Sequence, residues 1–189
     1  MIIGISGRKR SGKDTVGQMF YKQGFRRKAF AQPIKDVLYT LNPIVESLGE
    51  SDSLTVRDVV DSIGYEEGKD RYPEIRRLLQ VMGKEIGRDM FYENVWIDMA
   101  FMDIDSFDDV VFTDVRFPNE AEAIRARGGK VFRVYRPSVL DGHDLHPSET
   151  ALDDYEFDAY IENSGSIDEL EDEVNLLFTN EGLGLRVNG

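Results

Sequence analysis

Between Gly7 and Lys13 the chain reads Gly-Arg-Lys-Arg-Ser-Gly-Lys, which places Gly12 and Lys13 after Gly7 at the spacing Gly-x-x-x-x-Gly-Lys. Residues of these types at this spacing can hold phosphate. Glycines let the backbone curl until successive N–H groups point at one centre, and the lysine adds a mobile positive charge. The residue after such a lysine is commonly Ser or Thr; here it is Asp14, with Thr15 one place later. A metal ion drawn to that position would meet a carboxylate instead of a hydroxyl. The run Gly7, Arg8, Lys9, Arg10, Ser11, Gly12, Lys13, Asp14 and Thr15 is therefore the candidate phosphate site, with Asp14 and Thr15 as its metal-organising members.

The same letters in a surface turn would mean nothing, so the flanking elements decide. Ile2 to Ser6 is a short β-branched run that predicts a strand. From Lys13 to about Gln23, Val16, Met19 and Phe20 share one apolar face and predict a helix. Strand, loop and helix in that order are the context a phosphate loop requires, and the helix start adds its own partial positive charge.

Further strands are expected over Phe25 to Phe30, Val110 to Phe112, Val131 to Tyr135 and Ala159 to Glu162. Between them, Pro33 opens a helix with Ile34, Val37, Leu38 and Leu41 on one side, and Leu54 to Ile63 suggests a short one. From Tyr72 to Arg88, Ile75, Leu78, Leu79, Met82 and Ile86 form an apolar stripe at helical spacing, with Arg77, Gln80, Lys84 and Arg88 almost opposite. Glu93 to Met102 and a stretch begun by Pro118 and stopped by Gly128-Gly129 predict two more helices. Ser166-Ile167-Asp168-Glu169 has the form of a capping box before a last helix carrying Leu170, Val174 and Leu177. Alternating strands and helices predict an α/β fold, a parallel sheet covered on both faces. A ligand then sits at the carboxyl ends of the strands, where the segments from Gly7, Asp114 and Asn163 emerge.

The 189 residues fit one domain, and the composition is that of an ordinary globular protein, 41% hydrophobic and 31% charged. A formal net charge of −13 disfavours polymeric nucleic acid, which needs a broad basic surface, whereas a small nucleotide needs only a local basic pocket. No apolar stretch is long enough for a membrane span, and the first residues do not read as a signal peptide. The absence of Cys excludes disulfides and thiolate chemistry, which is compatible with a cytoplasmic location.

Gly12-Lys13-Asp14-Thr15 is similar to the Gly-Lys-Gly-Thr ending of nucleoside monophosphate kinases, and the chain more specifically resembles the bacteriophage deoxynucleoside monophosphate kinases. The resemblance is carried by Ser6 to Gly17, Ala29 to Lys35, Arg77 to Trp96, Thr113 to Glu120, His146 to Glu149 and Asn163 to Ser166, leaving residues 42–70 uncovered. It implies a three-layer P-loop kinase fold with strand order 2-3-1-4-5, an acceptor-binding helical region about 33–104 and a lid-like segment about 136–157. It also implies transfer of the γ-phosphoryl group of ATP to a deoxynucleoside monophosphate with Mg²⁺, in the host cytoplasm if phage-encoded, and a possible homodimer.

On that reading Lys13 and the loop amides hold the donor phosphates, and Asn163 borders the adenine. Asp114 serves the metal or the acceptor, while Arg116 grips the acceptor or the transferring phosphate. Lys35, Gln80, Arg88 and Trp96 complete the acceptor side. Each has a plainer alternative: a loop or cap carboxylate for Asp114, an ion pair with Glu120 for Arg116, an exposed lysine for Lys35, a solvated stripe for Gln80 and Arg88, core for Trp96 and a turn for Asn163. Arg136, at the exit of its strand, is preferred as a lid arginine over Arg133, which alternates with apolar neighbours. His143 and His146, with Asp141, Asp144 and Glu149, match no known metal-ligand spacing. The rivals are another small-molecule kinase such as dephospho-coenzyme A kinase, distinguished by its acceptor side, and a nucleotide-binding switch. A guanine-nucleotide switch would carry Asn-Lys-x-Asp and Asp-x-x-Gly; here Val-Arg-Phe follows Asp114.

Overall fold

The computed structural model describes residues 1–47, 52–137 and 150–180. The parallel sheet is built from β1 (Ile2–Ser6), β2 (Arg26–Lys28), β5 (Val110–Val115), β6 (Lys130–Tyr135) and β7 (Ala159–Glu162), in the order β2-β5-β1-β6-β7. Counted within that sheet alone, the order is the expected 2-3-1-4-5. Two further strands, β3 (Ile44–Ser47) and β4 (Ser53–Thr55), form a separate antiparallel pair.

Strand alternation explains the layers. Ile3 and Ile5 are fully buried on one face, in a cluster with Val16 and Phe20 of α1 (Lys13–Lys22) and Leu170, Val174 and Phe178 of the last helix, α7 (Ile167–Asn180). Phe20 anchors this layer, its ring centroid 5.3 Å from Phe25 and 4.9 Å from Phe178. Gly4 points the other way. A Cβ there would lie 2.6 Å from Ile124 Cδ1, so α6 (Pro118–Arg125) packs directly on the strand. The expected capping box holds at α7, where the Ser166 N–H donates to Glu169 at 2.7 Å and pulls the Glu169 pKa down. No helix among the described residues is long and apolar enough to cross a membrane.

The chain falls into two compact units, Met1–Phe30 with Asp103–Gly189, and Ala31–Met102. The first holds the parallel sheet. The second, inserted between β2 and β5, carries α2 (Gln32–Leu41), the β3–β4 hairpin, α3 (Val56–Arg71), α4 (Pro73–Val81), a π-helical stretch Met82–Phe91 and α5 (Val95–Phe101).

Most departures from sequence expectation lie in this second unit. The helix suggested at Leu54 begins instead after Thr55, whose side chain caps it with Asp58, and runs on to Arg71 through a kink at Gly64 (φ 75°). The helix expected over Tyr72 to Arg88 runs on without a gap from Pro73 to Phe91, but changes winding from α4 to the π-helical stretch at Met82. Within that stretch Trp96 occupies the space where a side chain at Gly87 would stand, and its indole N–H donates to the carbonyl of Gly83. Leu41, expected on the apolar face of α2, is exposed, because the helix ends there on a left-handed Asn42. In the first unit, β2 is shorter than the expected Phe25 to Phe30.

Candidate active site

The parallel sheet brings the carboxyl ends of β1, β5, β6 and β7 to one edge, from which Gly7, Arg116, Arg136 and Asn163 leave. The loop from Gly7 to Gly12 turns through three positive φ values: Gly7 at 148°, Arg10 at 67° and Gly12 at 102°. Ser11 N–H closes it on the carbonyl of Arg8 at 3.1 Å, and α1 starts at Lys13. Lys13 Nζ donates to the carbonyls of Gly7 at 2.6 Å and Arg8 at 2.8 Å, so the ammonium is folded over the loop. A curled backbone, an overhanging ammonium and a helix start together make an anion cradle.

Asn163 lies against the phosphate loop. It is buried, its side-chain amide donates to the Ser11 carbonyl at 2.8 Å, and its own N–H bonds the carbonyl of Tyr135 at 2.8 Å. A Cβ on Gly12 would collide with that amide. Asn163 thus braces the phosphate loop through an N–H of its amide.

Asp14 extends into solvent from the first turn of α1, 92% exposed, with Arg27 of β2 beside it at 3.1 Å. Arg27 also reaches Gln18 at 3.3 Å. Thr15 is half-buried. Asp114, half-buried at the end of β5, accepts the Phe30 N–H at 2.8 Å, so one of its oxygens fixes the exit of β2. The half-buried Arg116 leads out of the same strand. Glu120 is buried and takes the backbone N–H groups of Arg116 at 2.8 Å and Phe117 at 3.1 Å through Oε2, so this oxygen caps α6.

Arg136 is exposed at the exit of β6. Residues 138–149 lie outside the described residues, and with them most of the expected lid-like segment, His143, His146, Asp141, Asp144 and Glu149. Arg133 is tied inward. It donates to the Leu152 carbonyl and to Asp153, both at 2.7 Å, and its guanidinium lies 5.3 Å from the Phe157 ring centroid. Asp153 is also bound by Arg8 at 2.7 Å. Neither this link nor Arg27 beside Asp14 can be read from the sequence, because the partners are long-range; the only signal is that strand residues at 27 and 133 are arginines.

The other acceptor-side candidates, Lys35, Gln80, Arg88 and Trp96, belong to the second unit. Lys35 is partly buried, 3.4 Å from Glu66 and 5.5 Å from the Tyr65 ring centroid, while Tyr65 Oη donates to the Lys35 carbonyl at 2.7 Å. Burial, with Asp36 and Tyr39 nearby, pushes the Tyr65 pKa up to about 12, so Tyr65 stays a neutral donor. Burial pulls Glu66 upward, but its hydrogen bonds and charge contacts with Lys69 and Lys35 prevail and leave its pKa lowered. Arg77 pairs with Glu74 and Lys84 with Asp89, as members of a solvated stripe do, whereas Gln80 is exposed and Arg88 half-buried.

Trp96 requires a correction. It is 6% exposed, packed on Gly87 with its indole N–H on the Gly83 carbonyl at 2.8 Å, so it is core rather than a stacking surface for a base. Trp96→Phe removes this donor together with indole atoms packed on Gly87. It is expected to lower stability by roughly 2–3 kcal/mol in thermal or urea unfolding, the lost bond and the cavity combined; an unchanged midpoint would mean that the indole does not hold the π-helical stretch.

A family profile described as deoxynucleotide monophosphate kinase matches residues 1–71 and 66–174. The deoxynucleotide monophosphate kinase of Escherichia phage RB69 is 37% identical over 101 residues, which cover 51% of this chain and 41% of the phage protein, so the match takes in less than half of that relative's length. A protein of Acanthamoeba polyphaga mimivirus, provisionally given the same kinase name, is 26% identical over 92% of this chain and 94% of its own. Among solved structures, dephospho-CoA kinase from Campylobacter jejuni covers 97% of this chain and 98% of its own at 13% identity, with a TM-score of 0.46. That likeness is too loose to add to the topology read from the sheet itself. With the family profile spanning most of the sequence and the phosphate loop in place at the sheet edge, the chain belongs to the deoxynucleotide monophosphate kinase family.

Proposed function

We propose that this chain transfers the γ-phosphoryl group of ATP to a deoxynucleoside monophosphate, giving the two diphosphates. The observation that carries the reading is the Gly7–Thr15 loop, curled at the carboxyl end of the central strand with Lys13 folded over it, in a chain whose family acts on deoxynucleotides. Phosphoryl transfer asks a protein mainly to bring two anions into line, exclude water and neutralise the charge on the transferring group. Lys13 and the loop N–H groups hold the donor phosphates, with Arg8, Lys9 and Arg10 adding positive charge around them. Arg116 and Arg136, both at strand exits, neutralise the transferring group, and Lys35, Gln80 and Arg88 receive the acceptor. Asp114, which orders the turn at Phe30, serves the acceptor or the metal.

Mg²⁺ is usually held by one or two carboxylates, with phosphates and water completing its shell. The chain offers such a carboxylate in Asp14, exposed next to the lysine. Asp14 and Thr15, with Asp114, would hold the ion, which would offset phosphate charge. We further infer that the protein works on free nucleotides rather than on nucleic acid, and that it can pair as a homodimer, as the family resemblance implies.

A coupled assay for ADP release across nucleoside and deoxynucleoside monophosphates, with dephospho-coenzyme A as a further acceptor, tests the reaction. Turnover with dephospho-coenzyme A and with no deoxynucleotide would sink the proposal. Asp14→Ala is expected to abolish measurable turnover, yet to shift the melting midpoint by only about 1–3 °C, since an exposed ion pair contributes about 0–1 kcal/mol. Near-normal rates in that variant, at limiting as well as saturating Mg²⁺, would remove Asp14 from the metal site.

A further inference from the structure

One carboxylate outside the roles assigned above uses both of its oxygens on arginines. Asp153 Oδ2 accepts from Arg8 and Oδ1 from Arg133, each at 2.7 Å. The three side chains are only 25%, 16% and 35% exposed for Arg8, Arg133 and Asp153, so water screens them less than a surface pair. On one side of this bridge the chain is fixed. Leu152 is buried, the turn closes through Asp153 N–H on the Thr150 carbonyl at 3.0 Å, and Tyr155 Oη bonds Glu122 of α6 at 2.9 Å. Arg125, also of α6, lies 4.9 Å from the Tyr155 ring centroid, and Arg133 covers Phe157 from β6. On the other side stands the second residue of the phosphate loop. The Arg8 carbonyl receives both the Ser11 N–H and the Lys13 ammonium.

We propose that Asp153 is a positioning residue for the donor nucleotide, holding Arg8 against this fixed turn and so setting the backbone carbonyl on which Lys13 rests. Asp153 touches no substrate in this role; it acts through Arg8. The inference rests on the reading of Gly7–Thr15 as the donor site. Without the bridge the Arg8 side chain and the start of the loop must be ordered anew at each binding event, which weakens the donor complex and leaves the acceptor untouched.

The test compares the full-length protein with Asp153→Asn, Asp153→Glu, Arg8→Gln and the Arg8→Gln/Asp153→Asn pair, measuring turnover and, independently, ATP affinity by calorimetry. Asp153→Asn is expected to raise both the KM and the Kd for ATP about 5–10-fold. The acceptor KM, and kcat at saturating ATP, should stay within about twofold, a split that general loosening of the fold would not give. Asp153→Glu should recover most of the loss. In the Arg8→Gln background the second substitution should add little, because the two residues act as one unit. Unchanged ATP affinity, an equal rise in the acceptor KM, or additive effects of the pair would each overturn the proposal. Should Asp153→Asn fail to melt cooperatively, Asp153→Glu decides: ATP affinity as weak as in Arg8→Gln, with normal melting, would overturn it. Wild-type protein that binds ATP but phosphorylates no acceptor refutes the proposed reaction alone, and the affinities still judge Asp153. Wild-type protein that does not bind ATP overturns both.

Discussion

Lys13→Ala is expected to lower kcat by at least about a thousandfold, the scale on which single donors to a phosphoryl or oxyanion transition state act. In the ligand-free protein the ammonium spends its protons on the Gly7 and Arg8 carbonyls, at 2.6 and 2.8 Å. Those are acceptors it can leave when phosphate oxygens, which carry full charge, enter the cradle. Before nucleotide binds, its loss removes two part-buried bonds from a charged donor, roughly 1.5 kcal/mol each, or several degrees in melting midpoint for a chain of this size. A second change should appear with nucleotide present. ATP at a hundred times its Kd stabilises a binding protein by about 2.7 kcal/mol, and that increment should shrink sharply in the variant. Differential scanning fluorimetry with and without ATP, beside the turnover assay, separates the two effects. A variant that keeps its rate and its ATP-induced shift would show that the loop backbone alone grips the donor.

The phosphate loop was legible because everything it needs is local. Its glycines, its lysine and the strand and helix on either side lie within some twenty residues, and the structure places β1 and α1 where the periodicity put them. The parallel sheet was legible for a related reason: β1 and β5 are short buried apolar runs, each with a helix after it, and the right-handed crossover rule limits how such units can assemble. What the sequence could not show is which polar side chains meet across the chain. Asn163 reads as a turn residue until Ser11, 152 positions earlier, is found on its amide. Asp153 reads as one acid among many in an acidic protein until Arg8 and Arg133 are found on its oxygens. Residues 42–70 failed differently. Their helix depends on the Thr55–Asp58 cap, a signal as local as any, but the Gly64 kink and the β3–β4 pairing blur the periodicity around it. The stripe opposite the apolar face of α4 was legible as a solvated one at Arg77, Gln80 and Lys84, while from Met82 onward the backbone winds with a wider turn, so α-helical spacing no longer fixes the face of Arg88.

Gly7→Ala tests the geometry of the cradle. At φ 148° the glycine holds a conformation that other residues rarely adopt, and an added Cβ would stand 2.5 Å from the Val134 carbonyl oxygen and 2.6 Å from Ser11 Oγ. The serine hydroxyl can turn aside. The carbonyl cannot, because Val134 belongs to β6, registered against Ile161 of β7 on one side, while β1 pairs with the same strand on the other. Gly12→Ala is the milder case, since the nearest atom there is the end of the Asn163 side chain, which can move at the expense of its bond to Ser11. Gly128 supplies a control for backbone conformation alone: its φ is 74° and a Cβ added there would meet nothing within 4 Å. Gly128→Ala should then cost about 1–2 kcal/mol from the left-handed conformation, while Gly7→Ala, with strain and overpacking combined, should cost roughly 3 kcal/mol or more. The melting midpoint should fall by about 2–4 °C for each kcal/mol, and turnover should disappear with Gly7, because the displaced loop no longer aims its N–H groups at one centre. If the two variants melt together, the approach of the loop to β6 is not tight, and the rigidity attributed to the cradle has no basis.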